Sequence, residues 1–375
     1  MPIEIAGMIN TRPQSDTEPA RQGSSMDTAY LKKFWQAHER AGFDRGMIIH
    51  SATAPDAWVV AQYGMSVTEN IRIMLAHRPG FISPTQAARK GATLDHVSGG
   101  RFAFHIITGG TDEDQARDGD FLSKPERYER TGEFVEIVKK VWTSDAPFDY
   151  EGKYYRLKGA YSSVKPLQHP HPPIYFGGSS EEGLDMAAKY ADVWAMWCQP
   201  LAAVKENIDD VLTRASEHGR DPSFHVSFRP ILASTEAKAW ERAYAIRDRM
   251  KALRGNAPVV RTKMNYRLQA LKWADVSEIH DDHLWLGIAK ETGMSSNHTA
   301  LVGTPEQVAE LLLKYYDIGV SQMLFRGYSP LEDAIDYGRE LFPRLREGVR
   351  LRDLRAGIDA PVAPPVTVTG DIVGI

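Results

Sequence analysis

Short apolar runs alternate with amphipathic stretches along nearly the whole chain. The runs are Ile3–Met8, Gly46–Ile49, Ile71–Ala76, Phe102–Ile107, Ile174–Phe176, Val193–Met196, Val226–Leu232 and Gln322–Phe325. Their length and β-branched or aromatic content predict strands. A helical period follows each one: Thr28–Ala41, Ala57–Tyr63, Pro84–Asp95, Tyr128–Trp142, Ser180–Ala191, Leu201–His218, Thr235–Leu253 and Leu331–Glu347. Eight β/α units in one chain predict an α/β fold of the (β/α)8 TIM-barrel type rather than an open doubly wound sheet. Functional groups in such a barrel gather at the carboxyl ends of the strands.

Two segments interrupt the repeat. Phe148 to Arg156 alternates around Glu151-Gly152 and predicts an inserted hairpin. Residues 254 to 303 are a longer polar and basic insertion, with Arg254, Arg261, Lys263 and Arg267, placed to act as a lid. A further helix is predicted over Thr304–Asp317. The barrel domain is assigned to residues 1–350. The Pro/Val-rich end, 351–375, is read as a tail or an arm lying on a partner subunit.

Composition narrows the function classes. The 375 residues carry a net charge of −4 that is spread along the chain, which argues against a nucleic-acid or membrane-surface partner. The one cysteine, Cys198, excludes an internal disulfide and fits a reducing cytoplasm. The first residues lack a basic region followed by a long apolar core, so no signal peptide is read there. No apolar run approaches a membrane span. The apolar faces of the early helices suggest a homodimer or homotetramer.

The strand ends carry the candidate chemistry. Strand five ends in Phe176-Gly177-Gly178-Ser179-Ser180 and runs into a helix. Glycines admit an anion close to the backbone, and the first helical N–H groups face it. The plainer alternative is a turn capped by Ser179 or Ser180. Strand four ends in Thr108-Gly109-Gly110. Together the two glycine-rich ends can support a flat ring and a phosphate tail, the shape of FMN. Strands seven and eight lack a glycine-rich helix start, so the phosphate is placed after strand five. Arginines dominate the other ends: Arg12, Arg78, Arg229 and Arg326, with Arg261 from the insertion. As a cluster they favour an anionic ligand.

There is no G-x-S-x-G elbow and no H-E-x-x-H. His169 and His171 lie in a proline-rich loop without nearby carboxylates, so no metal site is assigned. Cys198 reads as a small packed hydrophobe rather than a nucleophile. His50 and His77 are either acid–base groups or hydrogen-bonded strand-end residues, the second being favoured for His77.

These residues carry a resemblance. The chain resembles the bacterial luciferase-like flavin monooxygenases, and within them the alkanesulfonate monooxygenase branch. The matching stretches include Asp56-Ala57-Trp58, His77-Arg78-Pro79, Ser98-Gly99-Gly100-Arg101, Thr108-Gly109, Glu126-Arg127-Tyr128-Glu129, Pro173 to Ser180, Thr299 to Gly303, Gly327-Tyr328 and Glu340 to Pro343. They keep their order between about residues 28 and 347. The resemblance implies a two-component enzyme: an NAD(P)H-dependent FMN reductase supplies FMNH2, which the barrel uses with O2. An organosulfonate would lose its C–S bond, giving sulfite and an aldehyde. Another polar substrate (a sulfo-sugar, a sulfone, a nitrogenous or a carbonyl compound) is the alternative.

Carried over by position, Thr108, Tyr128, Gly178, Ser179 and Ser180 would hold the flavin. Trp197 and Tyr328 would line the substrate pocket, with His50 and His298 assigned beside them. The departures fall on the substrate side. Ala54 stands where the branch often has cysteine, Thr11-Arg12 where it has Thr-His, and Ser227-Phe228-Arg229 where it has Arg-x-His. Lys290 to His298 replaces a glycine-rich lid. Arg12 and Arg229 would then take over anion binding, and with Tyr328 they form the assigned catalytic set.

Overall fold

The computed structural model describes residues 3–259, 265–294 and 298–358. The chain runs β1 (Glu4–Met8), α1 (Thr28–Arg40), β2 (Arg45–Ile48), α2 (Ala57–Val67), β3 (Arg72–His77), α3 (Pro84–Ser98), β4 (Phe102–Ile106), α4 (Asp112–Arg117) and α5 (Lys124–Thr143). Next come β5 (Phe148–Glu151), β6 (Arg156–Ala160), β7 (Ile174–Gly177), α6 (Glu181–Tyr190), β8 (Val193–Trp197), α7 (Leu201–Ser216), β9 (Ser223–Phe228), β10 (Pro230–Leu232) and α8 (Glu236–Arg254). The insertion contributes α9 (Asn265–Val276), β11 (Ile279–His280), β12 (Leu284–Trp285), α10 (Gly287–Thr292) and β13 (Ala300–Gly303). The chain then forms α11 (Pro305–Asp317), β14 (Val320–Phe325), α12 (Pro330–Asp336), a π turn (Tyr337–Leu341) and α13 (Phe342–Arg355).

Eight parallel strands close into a barrel in the order β1-β14-β9-β8-β7-β4-β3-β2. Helices around it bury the outward strand residues, such as Phe102, Phe104, Phe224, Val226 and Phe228. The inward residues Ala6, Met74, Ala103, Tyr175, Val193 and Leu324 pack against one another inside the barrel. Both strand faces are therefore covered, which is why the strands read as continuous apolar runs. At the amino-terminal end, Glu4 accepts from Arg45 Nε at 2.7 Å and from the Tyr175 hydroxyl at 2.8 Å. This closes the floor with a satisfied ion pair.

Caps set the element ends where the sequence carries them. Asp27, Asp56 and Ser83 accept from backbone N–H groups in the first turns of α1, α2 and α3. Ser123 and Glu126 start α5 earlier than the apolar period alone suggests, since the Ser123 N–H donates to Glu126 Oε2 at 2.9 Å.

Three boundaries differ from the sequence reading. The seventh run is not one strand. β9 ends at Phe228, and β10 leaves for a second sheet of order β10-β13-β12-β11. Pro230 has no N–H for the barrel ladder, while the Arg229 carbonyl accepts from Leu301 N at 3.1 Å. The hairpin turns over residues 152–155 rather than at Glu151-Gly152. The Glu133 carboxylate accepts from the N–H groups of Lys153, Tyr154 and Tyr155 there, which fixes a four-residue loop. The last helix is broken by the π turn, in which Phe342 N bonds to Tyr337 O. Pro343, next in line, cannot donate to a regular helical ladder.

The insertion is thus largely built structure, a small sheet with α9 and α10, rather than an extended loop. Arg261 and Lys263 of the expected lid lie outside the described residues, as does the expected tail from residue 359 onward. α13 itself continues to Arg355, past the boundary set at residue 350. No helix among the described residues is long and apolar enough to cross a membrane.

Candidate active site

Strand alternation decides which side chains rise from the barrel interior to its carboxyl end. Above Ala6 come Met8 and Asn10. Above Tyr175 comes Gly177, above Val193 come Ala195 and Trp197, above His225 comes Ser227, and above Leu324 comes Arg326. Met8, Gly177, Ala195 and Trp197 stay only half-buried, so the interior opens at this end.

The glycine–serine turn sits on the rim. Ser180 precedes α6 but makes no side-chain cap; its Oγ donates instead to the Tyr128 hydroxyl at 3.2 Å. A Cβ on Gly178 would meet that hydroxyl at 3.2 Å, and one on Gly183 would meet the Gly178 carbonyl carbon at 2.9 Å. The turn and the first helical turn are therefore pressed together, with no room for a Cβ at Gly183 and little at Gly178. Trp194 Nε1 donates to the Gly178 carbonyl at 2.9 Å, which turns that oxygen away from the cradle. Ser180 and Tyr128 meet at the start of α6, Ser179 beside them is exposed, and the Glu182 carboxylate accepts from its own backbone N–H and from Ser180. Lys124, 5.8 Å from the Tyr128 ring, adds positive charge. The chemistry fits a phosphate monoester. A capping side chain, the plainer reading, is not what Ser180 supplies.

The neighbouring loop after β4 is held from behind. Arg127 Nε donates to the Thr108 carbonyl at 3.1 Å, and Arg127 is buried. Gly109 has φ +99°, and a Cβ there would fall on the Gln115 amide. Gln115 is 1% exposed, and neither of its amide atoms has a hydrogen-bond partner among the described residues. No motif in the sequence pointed to Gln115. Arg78 is buried but spoken for: Asp114, at 2.9 Å, and Asp118 of the same loop neutralise it.

Across the mouth lies a compact charged cluster. Arg229 is fully buried and paired with Asp16. It also donates to the carbonyls of Arg326, at 3.4 Å, and Gly327, at 3.0 Å, and stacks 3.8 Å from the Tyr328 ring centroid. Its Nη1 lies 3.2 Å from His298 Nδ1. A guanidinium only donates, so this Nδ1 accepts and the His298 proton sits on Nε2. Burial, followed by the Arg229 charge, lowers the His298 pKa to about 3, which keeps the ring neutral. Burial pushes the Asp16 carboxyl up, but Arg229 and then Arg326 outweigh it and hold it below the usual range. Asp16 N and Ser15 Oγ both bond the Tyr328 carbonyl, at 3.1 and 2.9 Å. Loops after β1, β9, β13's approach and β14 are thereby knotted at one point. The Tyr328 hydroxyl is buried without a partner among the described residues.

The structure therefore brings Arg229, Tyr328 and His298 together, and Thr108, Tyr128, Gly178, Ser179 and Ser180 along the opposite rim. Trp197 stands on the interior side between them. Arg12 goes elsewhere. Its guanidinium donates to the Gly23 and Ser24 carbonyls at 3.3 and 3.1 Å, in a cleft it shares with Arg21 and Asp27. His50 lies against His77, with ring centroids 6.0 Å apart. His77 is not the hydrogen-bonded strand-end residue favoured above. It belongs to the outward row of β3, among Trp58, Phe104 and Phe134, and neither ring nitrogen has a partner among the described residues. Cys198 is buried with its Sγ 3.7 Å from the Tyr315 hydroxyl. Burial raises its thiol pKa well above the ordinary value. His171 packs on Trp142 and lies 3.7 Å from Asp192. Asp16, which decides the state of Arg229, was missed. It sits in a polar loop with no periodic signal, and only folding sets it beside strand seven.

Residues 3–322 match the family described as luciferase-like monooxygenase. Among solved structures, EDTA monooxygenase from Chelativorans sp. BNC1 is similar, with TM-score 0.74 and 20% identity over 92% of this chain and 94% of that one. A long-chain alkane monooxygenase matches with TM-score 0.74 and 18% identity, covering 92% of each chain. The oxygenating constituent of 3,6-diketocamphane monooxygenase from Pseudomonas putida, in complex with FMN, gives TM-score 0.67 and 18% identity over 92% and 99%.

Proposed function

Since the chain belongs to the luciferase-like monooxygenase family, we propose that it is an FMNH2- and O2-dependent two-component monooxygenase that cleaves the C–S bond of an organosulfonate. The observation that carries the flavin half is the cradle of Gly178, Ser180 and Tyr128 at the start of α6. Tyr128, Ser179, Ser180 and the first N–H groups of α6 hold the phosphate. Thr108, pinned through its carbonyl by Arg127, borders the ring position. Reduced FMN, when bound, supplies the electrons that activate O2.

The protein supplies placement, charge and dryness. Trp197 and Tyr328 shield the mouth from water. Arg229, locked by Asp16, orients Tyr328 and sets the His298 tautomer, so that the His298 Nε2–H is available as a donor. Overall, a primary sulfonate, FMNH2 and O2 yield an aldehyde, bisulfite, FMN and water. One atom of O2 ends in the aldehyde and the other in water. In this reading an NAD(P)H-dependent FMN reductase provides the reduced flavin, and the chain works as a cytoplasmic homodimer or homotetramer.

Sulfite release from a sulfonate panel with FMNH2 and O2 tests the reading. Absence of sulfite throughout, with no tighter affinity for reduced than for oxidised FMN, overturns it. A second reading keeps the flavin and changes the substrate to a sulfo-sugar, a sulfone, a nitrogenous or a carbonyl compound. Its support is that Arg229 is already neutralised by Asp16, while Arg12 donates to backbone carbonyls away from the site. Labelled oxygen entering an organic product without sulfite would select it.

A further inference from the structure

We propose that Arg326, rather than Arg229 or Arg12, takes the anionic head group of the substrate, and that this head group is an oxyanion such as a sulfonate or carboxylate. The proposal rests on reading the barrel mouth as the active site.

Arg326 follows Leu324 on the inward row of β14, at the carboxyl end of the barrel. Its side chain is 19% exposed. Its Nε is buried without a partner, and its guanidinium makes no hydrogen bond to the described residues. The nearest counter-charge, Asp16, is 3.8 Å away and already paired with Arg229. A buried guanidinium without acceptors is costly, and native proteins rarely keep one idle. The charge count makes the same point. Among the described residues of this cluster, Arg229 and Arg326 stand against the single Asp16 carboxylate while His298 is neutral, and Arg267 adds positive charge near His298, so the cluster is net positive. An anionic ligand balances it. Burial and then the Arg229 charge lower the Arg326 pKa to about 10, high enough to keep the cation at neutral pH. Arg229 has no such need, since Asp16 and the carbonyls of Arg326 and Gly327 already satisfy it.

The test titrates the full chain, with and without FMN, using methanesulfonate, acetate and neutral dimethyl sulfone, followed by tryptophan fluorescence and calorimetry. Methanesulfonate or acetate should bind at least tenfold more tightly than the sulfone, and the tighter of the two names the head group. Arg326→Met should weaken that anion at least tenfold and leave FMN affinity within twofold. Removing an uncompensated buried charge should also raise Tm by about 2 °C without ligand. A saturating anion should close that gap by raising wild type alone. Equal anion affinity in Arg326→Met, no anion binding by wild type, or a loss confined to FMN affinity would each overturn the proposal. Anion binding without any FMN binding would sink the flavin reading and leave this one standing.

Discussion

Arg229 holds its guanidinium 3.8 Å from the ring centroid of Tyr328, and Asp16 closes the ion pair that keeps it there. The first residue leaves strand seven and the second follows strand eight. The loop after strand one supplies the counter-charge. Asp16→Asn leaves a buried guanidinium without its carboxylate, and the expected cost is about 3 kcal/mol of stability. The same substitution tests the pH dependence. Asp16 is held below the ordinary carboxylate range in the folded chain, burial being outweighed by Arg229. Its contribution is complete above the unfolded value of about 3.9 and is lost as the pH falls through the folded pKa. Urea unfolding at pH 7 and pH 3 should therefore show a smaller acid loss in Asp16→Asn than in wild type.

Tyr128→Phe removes the hydroxyl that receives the Ser180 bond at the proposed phosphate site. Loss of one hydrogen bond worth about 1 kcal/mol predicts roughly a fivefold weaker Kd for FMN. Riboflavin, without the phosphate, should bind the variant and wild type alike. Equal weakening of both ligands would place Tyr128 against the ring instead.

Gly183→Ala puts a methyl 2.9 Å from the Gly178 carbonyl carbon, so the turn must move off the helix. FMN affinity should fall by at least tenfold, as read by quenching of flavin fluorescence. The fold should persist in far-UV circular dichroism, since the contact is on the rim.

His77→Phe replaces a buried imidazole without partners by an apolar ring among Trp58, Phe104 and Phe134. Burial, then the neighbouring His50, lowers its pKa to about 3. The unfolded chain takes up this proton near pH 6.5, so wild type loses stability from there down towards the folded pKa. The Tm gain of His77→Phe should be larger at pH 5.5 than at pH 8. An equal gain at both would show that the histidine does not titrate on unfolding in this range.

Cys198 is buried, and its thiol pKa is pushed up. The native chain should resist iodoacetamide for hours at pH 8 and react fully in denaturant. Rapid alkylation of native protein would contradict the packing.

Much of this architecture was legible in the chain because it depends on local repetition. Short continuous and helical-period runs of apolar residues count out β/α units. Buried-on-both-faces strands such as Phe102–Ile106 can be recognised without knowing their neighbours. The Gly177-Gly178-Ser179-Ser180 turn was legible for a similar reason, since the strand, glycines and helix start that make it are contiguous. The break after Phe228 and the π turn before Pro343 were less so. A proline marks each, but where the chain goes next depends on which sheet or helix offers hydrogen bonds.

By itself, then, the sequence determined the barrel and the glycine–serine rim, because adjacent residues encode both. Tertiary structure alone decided the electrostatics of the opposite rim. Asp16, Arg229, His298 and Arg326 come from four distant parts of the chain. Whether an arginine is satisfied or waiting for an anion depends on the carboxylate and carbonyls that folding brings within reach. Charge pairing falls off within a few ångströms in space and takes no account of separation along the chain. The four arginines at strand ends looked equivalent in the sequence, but the fold neutralised Arg78 and Arg229, sent Arg12 to a loop, and left Arg326 facing the mouth.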